Sequence, residues 1–198
     1  MRAAIGIQMH SGWGVLVAVG DSVEMLDRRR IVVVDAAVPG ANQPYHHARQ
    51  QLSRVNLDEA ERYLEKCTAT SQQLAAAAVK EAVLALHGRG CRIEGAAILR
   101  SAGRPLPNLE KILASHPLIH TAEGEFFCNV VTKACERCNI PVTGIRRRDL
   151  EEQAKAILGR SATRMQNAVA GLGKSIGPPW TADHKAATLA ALTVLSKA

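Results

Sequence analysis

Imidazoles and carboxylates gather in a few short stretches of this sequence. Ser115-His-Pro-Leu-Ile-His-Thr-Ala-Glu-Gly-Glu125 carries His116, His120, Glu123 and Glu125. His10 follows an apolar run near the N-terminus with Gln8 and Ser11 beside it, and Asp183-His-Lys185 lies near the other end. Neutral imidazoles with carboxylates ligate zinc, iron or manganese. The same groups move protons in general acid–base catalysis without a metal. His10, His120, Glu123 and Asp183 are the catalytic candidates; Gln8, Ser11, Tyr45, His46, Arg104, His116, Glu125, Lys174 and Lys185 are candidates to bind a ligand. Each also has a plain structural explanation. Glu123, Glu125 and Asp183 fall where first helical turns are expected, and the helix dipole favours acids there. His116 before Pro117 fits a helix end, and His184 beside Asp183 fits a solvated surface.

Further motifs divide between function and packing. Pro44-Tyr45-His46-His47 sits in a Pro-, Gly- and Asn-rich stretch, where binding residues and packing anchors are both common. Ser101-Ala-Gly-Arg104 follows an apolar strand, which places Arg104 to meet an anion. Ala168-Val-Ala-Gly-Leu-Gly-Lys-Ser175 matches a relaxed phosphate-loop pattern, but that mechanism needs a strand leading in and a helix leading out. Here a helical segment leads in, so a glycine-stopped helix end is the better reading, with Lys174 kept as an anion contact. Cys128, Cys135 and Cys138 share one helical face with no second pair at zinc-ribbon spacing, which favours core packing.

The 25 basic and 18 acidic residues give a net charge of +7, which favours an anionic partner. Basic residues cluster at Arg28-Arg29-Arg30, at Arg89, Arg92, Arg100 and Arg104, and at Arg146-Arg147-Arg148. Aromatics make up only 3%, fewer than a protein that stacks single-stranded bases would be expected to carry. The five cysteines are an odd number, and no secretory signal precedes them. Together these point to a reduced, cytoplasmic, bacterial-type protein. No apolar run approaches the roughly 18 residues of a membrane span.

The elements that must position these residues follow from periodicity. Strands are expected over about 2–9, 13–20 and 23–35, the third a β-branched run suited to burial on both faces. Residues 38–47 read as a loop. Asn56 with Glu59 three residues later reads as a capping box opening a long helix that stops at Gly88 and Gly90. A fourth strand spans 93–100, Asn108 caps a short helix ending at His116-Pro117, and another helix runs from after Thr121 to Cys138. A fifth strand at 140–145 and further helices follow, broken over 171–180, with the last starting near Thr181.

Ala4-Ile-Gly-Ile-Gln-Met-His-Ser-Gly-Trp-Gly-Val-Leu-Val-Ala-Val19 resembles the opening hairpin of the ribonuclease H-like superfamily. Asp183-His-Lys-Ala-Ala-Thr-Leu-Ala-Ala-Leu192 is similar to the closing helix of RuvC-type Holliday-junction resolvases and their YqgF-like relatives. The resemblance implies an α/β domain over residues 1–198, with a five-stranded mixed sheet in the order 3-2-1-4-5 flanked by helices. It also implies carboxylates from the first strand, the fourth strand and the last helix, holding two divalent cations about 4 Å apart. Carried onto this chain, those positions fall on Gln8, near Leu99, and on Asp183. One carboxylate of three cannot assemble that centre.

Sites in open α/β sheets gather outside the carboxyl ends of the strands, where the His and acid segments should converge. The expectation is therefore a ribonuclease H-like protein without conventional two-metal nuclease activity, binding a nucleic acid or nucleotide at that edge. A His/carboxylate hydrolase, with or without one divalent metal, is the alternative, and a structural or interaction protein without a site is a third.

Overall fold

The computed structural model describes residues 1–52, 56–101 and 105–197, so Arg104 lies outside the described residues. Five strands form one sheet: β1 (Arg2–Met9), β2 (Trp13–Gly20), β3 (Met25–Val32), β4 (Arg92–Arg100) and β5 (Val142–Arg146). Their order is β3-β2-β1-β4-β5. The first three run antiparallel through short turns, while β4 lies parallel to β1 and β5 parallel to β4. The helices are α1 (Pro44–His47), α2 (Leu57–Gly88), α3 (Leu109–Ala114), α4 (His116–Arg137), α5 (Leu150–Leu158), α6 (Ala162–Ile176) and α7 (Ala182–Leu195). This is the expected ribonuclease H-like arrangement, with the long crossovers that parallel strands require.

Alternation along β1 sends side chains to two cores. Ile5, Ile7 and Met9 pack with Val79 of α2 and Phe127 and Val131 of α4. Ala4 turns to the other face, against Leu189, Ala190 and Leu192 of α7. Gly6 is also on that face, and a Cβ there would overlap the carbonyl oxygen of Ala187. The α7 backbone therefore rests directly on β1. The β1–β2 turn is closed by His10 N–H donating to the Trp13 carbonyl at 2.7 Å, with Gly12 at φ +81°.

Several elements differ from expectation. β3 covers residues 25–32 rather than 23–35 and is not buried on both faces; it is the edge strand, and Val32 is 53% exposed. The expected loop over 38–47 contains α1, followed by a π-helical turn at Ala48–Leu52. Asn56 caps α2 by accepting from the Asp58 N–H at 2.9 Å, without the reciprocal bond from Glu59 that a capping box requires.

The two largest differences bear on the site. His116-Pro117 begins α4 instead of ending a helix, because proline lacks only an N–H that the first turn leaves unpaired. Glu123 and Glu125 consequently lie in the body of α4, away from the dipole that would have explained them. α6 continues through Gly171 and Gly173 to Ile176, so the phosphate-loop pattern is helical. Gly173 is required there by contact: a Cβ would meet Cδ1 of Trp180 at 2.7 Å, and the Trp180 indole donates to the Val169 carbonyl at 2.9 Å.

Candidate functional site

A cleft of about 270 Å³ opens at the carboxyl ends of β1 and β4. His10 and Ser11 line it from the β1–β2 turn, His46 from α1, Ser101 from the end of β4, and His120 and Glu123 from α4. Four separate segments thus meet at one sheet edge, where α/β sheets commonly hold ligands.

Because α4 begins at His116, His116 and His120 stand one turn apart on the same side of its first turns. His46 completes a triangle with them. Ring centroids are 4.4 Å apart for His116 and His120, 4.8 Å for His46 and His120, and 5.5 Å for His46 and His116. One nitrogen from each ring lies within 4.8 Å of the others. The His116 imidazole is held below its ordinary pKa by desolvation first, then by His120, His46 and Arg49. That lowering favours the neutral form of His116, the form that can bind a cation.

Glu123 lies beneath this triangle, buried. Its Oε1 accepts from the backbone N–H groups of Tyr45 at 2.9 Å and His46 at 3.0 Å, and lies 3.3 Å from His46 Nδ1. The two amides belong to the first turn of α1, where backbone donors lack helical partners. Oε2 is buried and has no partner among the described residues. Burial pushes the Glu123 pKa up to about 7, against the opposing pull of the two backbone bonds and His120. A carboxyl group poised there suits proton transfer near neutrality.

His10 joins this cleft to the opposite face of the sheet. Its Nε2 lies 3.0 Å from Asp183 Oδ2 in the first turn of α7, and its ring stacks on Trp13 at 4.4 Å. The Arg30 guanidinium sits 3.8 Å from the centre of the Trp13 ring. Trp13, Arg30 and Asp183 border a second hollow of about 350 Å³, lined also by Arg28, Thr181 and His184. His184 is not solvated: it is buried, and its Nδ1 accepts from the Thr181 N–H at 3.3 Å and meets its hydroxyl at 2.8 Å. Burial lowers its pKa, with Arg28 adding and Asp183 opposing.

Strand alternation splits the arginine run. Arg28 donates to the carbonyls of Gly177 at 2.9 Å and Pro179 at 2.8 Å. Arg29 turns to the other face, toward Asp27 at 2.7 Å and Glu81 at 3.0 Å. Arg30 is exposed and stacked on Trp13.

The remaining candidates are dispersed. Gln8 donates to the Met9 carbonyl at 3.1 Å, and its Oε1 is buried without a partner among the described residues. Tyr45 supplies its backbone to Glu123 while its ring packs edge-on against Phe126. Glu125 is taken up by Arg100 at 2.6 Å. Lys185 lines a different hollow, with Arg147 and Glu151, and Lys174 is exposed in the last turn of α6. Burial pushes the Cys128 thiol up to about 11 and the Cys135 thiol up to about 12, which suits packing rather than metal or redox chemistry. Trp13 and Arg30 escaped the sequence reading as site residues. The signal available was a tryptophan between two turn glycines, in a chain with only two tryptophans.

No family model matches this sequence, and neither does any curated protein. Solved structures do match. The Thermus thermophilus RuvC structure in complex with a Holliday junction substrate has 15% identity and a TM-score of 0.54, over 98% of this chain and 92% of that one. A second Thermus thermophilus RuvC structure has 15% identity and a TM-score of 0.51, over 96% and 92%. The fold is ribonuclease H-like, of the RuvC type.

Of the three positions where the resemblance places acids, one holds a carboxylate, Asp183. Gln8 pairs in register with Leu99 of β4, so neither strand offers a carboxylate at that level. Asp183, the remaining acid, is engaged by His10.

Proposed function

We propose that this protein binds nucleic acid at the carboxyl edge of its RuvC-type sheet and does not cut it by two-metal chemistry. The carrying observation is the His10–Asp183 contact with Trp13 and Arg30 stacked beside it. An exposed cation and a half-buried aromatic ring occupy the edge where the resembled enzymes place acids. Such a surface suits a phosphate backbone. The net charge of +7 agrees with that polarity. The fold match includes a RuvC structure whose ligand is a Holliday junction substrate, so branched DNA is the first ligand to try.

Fluorescence anisotropy with a four-way junction, a duplex and a single strand, at two salt concentrations, tests the reading. Binding that weakens with salt is expected. Arg30→Ala should reduce the salt slope by about 1, and Trp13→Ala, which removes the ring that positions Arg30, should weaken binding in the same direction. Failure of all three nucleic acids to bind at low salt would remove the proposal.

With magnesium or manganese, cleavage of junction or duplex should be absent. Robust cleavage abolished by Asp183→Asn would restore the nuclease reading and bring another carboxylate, such as Glu123, into the centre. A second reading, a His/carboxylate hydrolase, is favoured by the position of Glu123 in the cleft and its raised pKa. Phosphoester turnover lost in Glu123→Gln would select it.

A further inference from the structure

We propose that His46, His116 and His120 form a three-imidazole site for one divalent cation of the zinc class, with Glu123 orienting His46. This inference goes beyond nucleic-acid binding and does not depend on it.

The ligand set comes from two elements that converge for identifiable reasons. Pro117 in the first turn starts α4 at His116, which puts His116 and His120 at helical spacing i and i+4. On such spacing two imidazoles can meet one ion. The third ring comes from α1, which is fixed to α4 by the Tyr45 and His46 N–H bonds to Glu123. The three candidate nitrogens already lie within 4.8 Å of one another. A tetrahedral zinc with bonds of 2.0–2.1 Å needs them about 3.4 Å apart. His116 and His120 are exposed, so side-chain rotation can supply the closure.

Glu123 provides what a mere histidine cluster would lack. Its Oε1 lies 3.3 Å from His46 Nδ1. That contact fixes the proton on Nδ1 and leaves the Nε2 lone pair for a cation. A carboxylate behind a ligating histidine is the common outer-shell arrangement in metal sites. An all-nitrogen set selects zinc, cobalt, nickel or copper over magnesium and calcium, which prefer oxygen. Three protein ligands would leave the fourth position facing the cleft, open to water or to an oxygen of a bound ligand.

The test uses the full chain purified without a histidine tag. Zinc is titrated calorimetrically, and cobalt(II) is followed by its visible absorption. One equivalent of either metal is expected, with a tetrahedral cobalt spectrum lacking thiolate-to-metal charge transfer. His116→Ala/His120→Ala should weaken binding more than 100-fold, whereas Glu123→Gln should weaken it about 10–100-fold and keep the stoichiometry. Thermal melts without metal check that each variant folds. Absence of stoichiometric binding, a thiolate band, or undiminished affinity in a folded double-histidine variant would overturn the proposal. Junction binding measured on the same preparations separates this outcome from failure of the nucleic-acid reading.

Discussion

Gly6→Ala is expected to destabilise the protein by about 3 kcal/mol, lowering the melting temperature by about 6–12 °C for a chain of this size. The added methyl would overlap the Ala187 carbonyl oxygen and crowd its carbon. Both are backbone atoms of a helix packed across β1 and β4, so no side-chain rotation relieves the clash. α7 must lift, and its buried Ala187, Ala190 and Ala191 lose contact with the sheet. Asp183 opens that helix, so its 3.0 Å approach to His10 should loosen as well. Calorimetric melts read the first effect. A melting temperature within 2 °C of the parent would show that α7 does not need its backbone seated on β1.

The second large effect concerns pH. Glu123 titrates at about 7 in the folded chain against an ordinary value of 4.5. Between these values the folded state holds a proton that the unfolded chain has released. Stability contributed by this group is therefore complete below pH 4.5 and is lost as pH rises toward 7. The interval corresponds to about 3 kcal/mol. Glu123→Gln removes that slope. His184, lowered by burial, and His116, lowered by desolvation and the neighbouring His120 and His46, give the opposite trend in parent and variant alike. Chemical denaturation of the metal-free proteins at pH 4.5, 5.5 and 7.5 isolates the difference. It should shift in favour of the variant by about 3 kcal/mol from the lowest pH to the highest. A difference that stays constant with pH would mean that Glu123 is ionised throughout.

Long, regular features were legible in the sequence. Hairpin-length turns between three apolar runs, then two helical crossovers, suffice for the order of the sheet. Boundaries governed by one proline or one contact were less so. His116-Pro117 is compatible with either end of a helix, and the choice moves Glu123 from a first turn to a buried third. α1 hides in a stretch of Pro, Gly and Asn because its first-turn N–H groups are capped by the carboxylate of Glu123, 78 residues away from Tyr45. Gly171 and Gly173 look like helix stops until Trp180 is placed over the second of them. His10 and Asp183 were each visible as chemistry. That His10 would tie the two faces of the sheet together depended on α7 docking at Gly6, a tertiary contact with no local signature.

The exposed edge of β3 has a consequence for life at high concentration. An open sheet offers unpaired backbone groups to any arriving strand, and β3 and β5 are the two margins of this one. β3 spends its middle on Arg28, Arg29 and Arg30, and β5 ends on Arg146. Two copies approaching along β3 would bring their exposed Arg30 cations together, and charge on an edge strand is a common natural guard against strand-to-strand growth. A polyanion lying along the same strand would quiet that repulsion. On the proposed reading, Arg30 both meets the nucleic acid and guards the margin of the sheet.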